Sequence, residues 1–320
     1  MRVSFLGSPP FGTPILERLA HSEFAPKLVV TPPARARGRG RKETPQPLAE
    51  RARELGLEVA QPRTVRDPEF MAQLEALDLD CILVASYGEL LRQEFLDLPR
   101  LGCLNVHPSL LPRHRGATPI PAAILAGDAH TGVTIQRMVL KLDAGEILVA
   151  QEAPMIAGET AGEMTERLAE LSGELAFEAL GRLQLEDPGF EPQDDEAATY
   201  CKKLEKSDGL LDWTEKAEEL ERRVRAFHPW PGARTYLPNG KPLSVWRTHV
   251  VELAGEFEAG VVVSSENASP STGALIVATG EGGLSLDEVQ SAGKRAMSAE
   301  DFQRGARIEP GQSLLCEAPS

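Results

Sequence analysis

CLNVHPSLLPR (103–113) is the most informative segment for the fold, because an apolar strand pattern ends there in a run of polar and proline residues. CILVAS (81–86) precedes it, and both segments are short and apolar, as strands are in a sheet that is covered on both faces. VSFLG (3–7), KLVVT (27–31) and VTIQRM (133–138) share this character. The sequence therefore predicts a sheet built from short strands.

Helical spacing of apolar residues separates these strands over 13–21, 46–55 and 67–77, and a longer helix is predicted over 161–182. Alternation of strands with helices favours an α/β fold with a mostly parallel, Rossmann-like sheet. We assign residues 1–186 to this first domain.

The pattern changes after the long helix. Residues 187–205 begin acidic and lack periodicity, which indicates a linker. Residues 206–315 open with an amphipathic helix over 214–226 and continue as short strands separated by turn pairs such as Asn239-Gly240. We therefore expect a small OB-like β-barrel as the second domain.

Composition narrows the function class. The 320 residues suit two domains, and 42% hydrophobic with 26% charged residues is typical of a globular protein. No apolar run approaches the length of a bilayer span, and the N-terminal stretch is too short for a signal-peptide core. The four cysteines lie far apart, without a common zinc spacing. We expect a cytoplasmic protein without metal or membrane partner.

Charge is unevenly distributed along the chain. The net charge is −14, yet residues 34–42 carry five cations and no acid, namely Arg35, Arg37, Arg39, Arg41 and Lys42. Such a run is often only a solvated surface loop. Because five like charges repel one another, the alternative is a loop that contacts phosphates of a nucleic acid. The sequence leaves both interpretations open.

A second basic stretch runs from Arg222 to Arg247, with aromatic residues interleaved. Basic and aromatic residues together can bind single-stranded nucleic acid. We favour a core role for the aromatics Phe227 and Trp230, and phosphate contacts for some of the arginines.

Asn105 and His107 are the first candidates for chemistry. Strand alternation places them on one face, and Pro108 ends the strand just beyond them. Ligand sites in open α/β sheets lie at such carboxyl ends. An amide can donate to a developing oxyanion, and an imidazole exchanges protons near neutral pH. The alternative is a turn-capping asparagine beside a core histidine.

Asp143 precedes a glycine turn, where an aspartate ordinarily bonds to its own backbone. If its loop folds back beside His107, the carboxylate raises the pKa of the imidazole and can relay a proton through water.

The chain resembles the methionyl-tRNA formyltransferase family, within the enzymes that take a formyl group from 10-formyltetrahydrofolate. The broad pattern is the Asn-x-His strand end, the SLLP loop and a downstream Asp-x-Gly. The narrower resemblance rests on six segments in the same order: GSPPFGTPIL (7–16), GRGR (38–41), PRHRGATPI (112–120), AGDAHTGVTI (126–135), RAFHPWPG (225–232) and AGKRAMSAEDF (292–302).

The resemblance implies roles for particular residues. Asn105 would hold the formyl oxygen and stabilise the tetrahedral oxyanion, and His107 would act as a charged hydrogen-bond donor or acid. Asp143 would orient His107 and, through a water, take the proton of the attacking amine. The folate donor would contact a loop formed by Ser109, Leu110, Leu111 and Pro112. It would also contact a wall of the site formed by the backbone near Ser86, Tyr87 and Gly88. The arginine-rich segment would enter the acceptor stem of initiator tRNA, with Arg39 as its main reader, and the protein would be a monomer.

Other functions remain open. Formyl transfer to a sugar nucleotide or to glycinamide ribonucleotide would use the same Asn, His and Asp, and so would hydrolysis of 10-formyltetrahydrofolate. A catalytically silent RNA-binding protein would use only the basic segment and the barrel.

Overall fold

The structure is a computed structural model that describes residues 1–33, 46–270 and 275–317, and the backbone alone of 35–37 and 42–44. It divides the chain into two compact units. The first consists of Met1–Ile120, Ala129–Met155 and Glu163–Lys202, and the second of Pro121–Asp128, Ile156–Gly162 and Lys203–Ser320. Two short segments of the predicted first domain therefore belong to the second unit, which the sequence pattern does not indicate.

The strands in the first part of the chain are β1 (Val3–Gly7), β2 (Leu28–Val30), β3 (Arg35–Arg37), β4 (Lys42–Thr44), β5 (Val59–Ala60), β6 (Cys81–Ala85), β7 (Cys103–His107), β8 (Arg115–Gly116), β9 (His130–Arg137), β10 (Ile147–Pro154) and β11 (Tyr200–Cys201). The main sheet has the order β10-β9-β7-β6-β1-β2-β5. β3 pairs with β4, and β8 pairs with β11.

Five neighbouring strands of this sheet are parallel to one another, namely β5, β2, β1, β6 and β7. β9 and β10 are antiparallel additions at one edge. β1 and β6 are buried at every position. Strands buried on both faces have apolar runs without alternation, which is why VSFLG and CILVA form the centre of the sheet. β9 and β10 are joined by a short connection, which only antiparallel strands allow.

The helices in this part are α1 (Gly12–Ala20), α2 (Pro47–Glu54), α3 (Pro68–Ala76), α4 (Gln93–Leu96), α5 (Pro119–Ala126) and α6 (Ala161–Arg182). The side chain of Asp67 accepts hydrogen bonds from the first turn of α3, which explains where that helix begins. Phe70 and Leu74 of α3 are buried in the core beneath the sheet. No helix within the described ranges combines the length and apolar character that crossing a bilayer requires.

The second unit contains α7 (Ala217–Ala226), β12 (Ala233–Tyr236), β13 (Pro242–Leu253), β14 (Val262–Val263), β15 (Ala268–Ser269), β16 (Leu275–Ala278), β17 (Gly283–Ser291), β18 (Met297–Ser298) and α8 (Ala299–Ala306). The antiparallel sheet has the order β12-β13-β17-β16-β14. Trp213 is buried in its core, and the indole N–H donates to the Thr235 hydroxyl over 3.1 Å. The predicted fold class, an α/β domain with a mostly parallel sheet followed by a small antiparallel β domain, is confirmed.

Residues of the predicted linker are held by the first unit. Glu191 forms a bridge to Ile147, and β11 pairs with β8. The predicted linker therefore makes backbone contacts with strands of the first unit. Its acidic composition and lack of periodicity do not reveal contacts made with residues far away in the sequence.

Candidate active site

β7 carries Asn105 and His107 to the carboxyl end of the parallel strands. The neighbouring strand β9 places Gln136 opposite Asn105 and Thr134 opposite His107. Because directly opposed residues of an antiparallel pair project to the same face, these polar side chains line one surface. His107, Thr134 and Gln136 are all buried there.

Asp143 folds back onto this surface, in a loop where its own φ of 46° lies in the left-handed region. The Asn105 amide donates to its Oδ1 over 3.4 Å, and the Gln136 amide donates to the same oxygen over 3.1 Å. The backbone N–H of Gly116 donates to Oδ2 over 2.8 Å. His107 Nδ1 lies 3.8 Å from Oδ2. The structure thus brings together the three residues that the sequence nominated for catalysis.

The hydrogen-bond partner of His107 determines which ring nitrogen is available. Nε2 lies 2.9 Å from the backbone oxygen of His114. A carbonyl oxygen only accepts, so Nε2 carries the hydrogen and donates it. Nδ1, the nitrogen that faces Asp143, is therefore the one that can gain or lose a proton.

Burial lowers the pKa of His107 below its ordinary value, and this effect exceeds the opposite effects of Asp143 and of the hydrogen bond to His114. The expected effect of Asp143, which raises the pKa of the imidazole, is present, but burial of the ring outweighs it. The charged form of a buried imidazole loses its hydration. In the resting protein near neutral pH, His107 is therefore neutral.

This lowered pKa predicts a pH dependence of stability. Between the folded-state pKa of His107 and its unfolded value of about 6.5, only the unfolded chain binds the proton. The free energy of unfolding therefore decreases as pH falls through that window, by at most about 1.4 kcal/mol per pH unit for one proton. Urea unfolding at pH 7 and pH 5 should show a smaller decrease for His107→Gln than for the wild type. Equal decreases would contradict it.

Ser109, Leu110, Leu111 and Pro112 form a compact loop after β7. The Ser109 hydroxyl donates to the Arg113 carbonyl over 2.7 Å. Thr134 holds the loop from β9, since its hydroxyl donates to the Ser109 carbonyl over 2.7 Å and accepts the Leu111 N–H over 3.1 Å. The Leu111–Pro112 peptide is cis. The loop is thereby held next to the catalytic candidates.

Ser86, Tyr87 and Gly88 follow β6, the strand next to β7, so they lie at the same edge of the sheet. Ser86 has a φ of 56° and, like Gly88, is exposed. Burial, followed by the nearby charge of Glu89, raises the pKa of the half-buried Tyr87 to about 12. Tyr87 is therefore a neutral phenol at physiological pH and can donate a hydrogen bond.

The sequence reasoning missed several residues that complete this site, namely Thr134, Gln136, Arg115 and Gln193. A signal for two of them was present, because Thr134 and Gln136 alternate with the apolar residues Val133 and Ile135 in β9. Arg115 and Gln193 carry no local signal.

The arginine-rich segment is described only in part. The backbones of β3 and β4, which contain Arg35, Arg37 and Lys42, pair in an antiparallel register. Arg39 and Arg41 lie outside the described residues.

In the second basic stretch, two of the arginines pair with glutamates. Arg223 pairs with Glu215 over 2.7 Å, and Arg225 pairs with Glu221 over 2.5 Å. Phe227 is buried as expected, but Trp230 is 53% exposed, so its predicted core role is wrong. Trp230 lies in a loop with prolines on both sides, and such a segment does not continue the apolar face of α7.

Two family models match the chain. One, described as formyl transferase, covers residues 1–180, and the other, described as the formyl transferase C-terminal domain, covers residues 203–307. The chain is 41% identical over 314 residues to the methionyl-tRNA formyltransferase of Hydrogenovibrio crunogenus, covering 98% of each chain. It is 43% identical over 302 residues to that of Methylococcus capsulatus, covering 94% of this chain and 96% of the relative.

A solved structure supports the fold alone. The crystal structure of WlaRD, a sugar 3N-formyl transferase, in the presence of dTDP and 5-N-formyl-THF, matches with a TM-score of 0.64 and 13% identity. The match covers 92% of this chain and 99% of that one.

Proposed function

We propose a function from one premise: the chain belongs to the formyl transferase family, together with the methionyl-tRNA formyltransferases that match it over nearly their whole length. The protein transfers the formyl group of 10-formyltetrahydrofolate to the α-amino group of methionyl-initiator-tRNA. The product is N-formylmethionyl-tRNA, used for translation initiation. The observation that carries this proposal is the convergence of Asn105, His107 and Asp143 at the end of β7.

Formyl transfer is an acyl transfer to a neutral amine. The amine nitrogen forms a bond to the formyl carbon, the carbon–N10 bond to folate breaks, the amine loses a proton and N10 gains one. Catalysis therefore needs a donor to the carbonyl oxygen as its charge develops, and groups that accept and deliver a proton.

Each candidate has a role in this reaction. The Asn105 amide donates to the formyl oxygen. Asp143 accepts the proton that the amine loses, directly or through water. Its carboxylate is suited to this role because three hydrogen-bond donors hold its oxygens in place. Neutral His107 uses Nδ1 to hold a proton in transit to N10, and Asp143, 3.8 Å away, stabilises the charged ring meanwhile.

The folate donor binds between the loop of residues 109–112 and the wall of residues 86–88. Apolar side chains suit a flat aromatic ring, and half-buried Leu110 together with half-buried Tyr87 supplies such surface. The Tyr87 phenol and nearby backbone groups supply polar contacts that orient the ring. The neighbouring sugar formyltransferase WlaRD was solved in the presence of 5-N-formyl-THF, which agrees with a folate-type donor.

The experiment that tests this function mixes the protein with methionyl-initiator-tRNA and 10-formyltetrahydrofolate and determines the mass of the methionyl group released from the tRNA. A gain equal to one carbonyl group supports the proposal. Free formate and tetrahydrofolate without that gain would indicate a hydrolase instead. No turnover of the donor with this acceptor, but turnover with a sugar-nucleotide amine or glycinamide ribonucleotide, would identify the other alternative.

The proposal includes a tRNA contact by the segment that holds Arg35, Arg37, Arg39, Arg41 and Lys42. Its local charge of +5 on a chain with a net charge of −14 suits an anionic partner docked at one place. We propose the acceptor stem as that partner, with the protein acting in the cytoplasm as a monomer.

Arg39→Ala is expected to reduce the preference for initiator over elongator methionyl-tRNA about tenfold, the loss expected for one specific arginine contact. The ratio of kcat/KM values for the two tRNAs measures it. Arg53→Ala, which removes an exposed arginine from α2, should leave the ratio unchanged. An unchanged ratio in Arg39→Ala would mean that Arg39 does not read the acceptor stem.

A further inference from the structure

Gln193 lies in the predicted linker but joins three parts of the candidate active site. Its Nε2 is 2.9 Å from the side-chain oxygen of Gln136, 2.9 Å from the backbone oxygen of Asp143 and 2.6 Å from that of Gly145. Its Oε1 accepts from Arg115, over 3.1 Å from Nε and 2.8 Å from Nη2. One side chain thus spans β9, the Asp143 loop and β8.

Arg115 determines the direction of these hydrogen bonds. Its guanidinium is fully buried and is also held by Asp195, 2.7 Å from Nη1. A guanidinium only donates, so the Gln193 atom that faces it is the oxygen. The NH2 group of Gln193 must then face the three carbonyl oxygens, two of which belong to the Asp143 loop.

The same reasoning extends to Asp143. Because Gln193 donates to the Gln136 oxygen, the Gln136 NH2 group must point the other way, towards Asp143 Oδ1, which it reaches over 3.1 Å. Gln136 is buried. In the opposite orientation its oxygen would face Asp143 Oδ1, and no water would separate these two acceptors. Arg115 therefore orients two amides in succession, and the second donates to the carboxylate.

We propose that Gln193 is a positioning residue for Asp143, and that Arg115 fixes the direction of the hydrogen bonds through which it acts. Gln193 holds the backbone of the Asp143 loop directly, and it orients the side chain through Gln136. The part of this inference that concerns catalysis rests on the proposed function, whereas the direction of the hydrogen bonds does not.

Gln193→Glu tests the proposal, because glutamate has the same shape but cannot donate when ionised. One carboxylate oxygen still accepts hydrogen bonds from Arg115. The other faces the oxygens of Gln136, Asp143 and Gly145, which are also acceptors and repel it. We expect kcat for formyl transfer to fall about 30-fold, within the range that misplacement of a reacting group by about 1 Å costs. KM for both substrates should change less than about twofold, since the polar groups of Gln193 are already engaged by Arg115, Gln136 and the Asp143 loop. Glu196→Gln changes an exposed residue of the same segment and should leave kcat and KM unchanged.

A double-mutant cycle separates positioning from a general structural role. In an Asp143→Asn background, measured by single turnover with excess enzyme, Gln193→Glu should lower the rate less than about twofold, because residues that act as one unit are not additive. A further loss as large as in the wild-type background would overturn the proposal.

A measurement without substrates tests the direction of the hydrogen bonds. The side-chain NH2 signals of Gln136, assigned with a Gln136→Leu variant, should shift in Gln193→Glu as this amide turns towards the new carboxylate. NMR is suited to this because ordinary crystallography does not distinguish amide oxygen from nitrogen. Unshifted signals would overturn the proposal. Shifted signals in a protein that transfers no formyl group would instead overturn the proposed function and leave the hydrogen-bond order standing.

Discussion

Asp143→Asn is expected to lower kcat about a thousandfold, within the range of 10²–10⁴ that a positioned acid or base contributes. The substitution preserves the volume of the side chain but removes its charge. Gly116 and Gln136 donate N–H groups to the two different oxygens of Asp143. An asparagine has only one oxygen, so its NH2 group would face one of these donors. His107 also loses the carboxylate that stabilises its charged form at Nδ1.

The measurement is a steady-state assay of formyl transfer, with binding of tRNA and of the folate measured separately. Both dissociation constants should stay within about twofold of the wild type, because Asp143 acts on the proton rather than on binding. Asp187→Asn, on an exposed carboxylate of the same unit, serves as the matched control and should retain full activity. A kcat close to the wild-type value in Asp143→Asn would remove this residue from the mechanism.

Asn105→Ala is expected to lower kcat about 10²–10³-fold, the usual cost of removing one donor to a developing oxyanion. Asn105 projects from the end of a buried strand, and its amide is held against Asp143 Oδ1 over 3.4 Å. Alanine removes the donor and leaves the strand pairing intact, since that pairing involves only backbone groups.

The test for Asn105 compares kcat and KM with those of Gln73→Ala, which removes an exposed amide from α3. We expect Gln73→Ala to behave as wild type. If Asn105→Ala instead raised KM for the folate and left kcat unchanged, the amide would contribute to binding alone, and the oxyanion role would be wrong. The unfolding midpoint of both variants controls for loss of structure.

Much of the fold could be predicted from the sequence because the signals that define it are local. CLNVH (103–107) and the helix over 161–182 have the predicted bounds, since burial on both faces and a 3.6-residue apolar spacing are each recorded within the segment itself. The common face of Asn105 and His107 follows in the same way from strand alternation. The position of Asp143 beside them could be stated only as a condition, because the loop that brings it back has no periodicity.

The pKa of His107 shows where local reasoning fails. Its sequence neighbours indicate a strand end open to a ligand, and a carboxylate nearby favours the charged ring. Burial of the ring beneath its own loop outweighs that effect, and no pattern in residues 103–113 reports how deeply a side chain is covered.

The α/β class, the strand that carries Asn105 and His107, and the family of the chain could all be predicted from the sequence. The residues that hold Asp143 became evident only from the three-dimensional contacts. Arg115 and Gln193 are 78 positions apart, and Gln193 is 57 positions from Gln136. Contacts over such separations depend on how β8, β9 and the segment after α6 pack together. Hydrogen bonds are directional and require buried partners to match, so this packing, and not the local composition of an acidic linker, sets the orientation of the amides that hold Asp143.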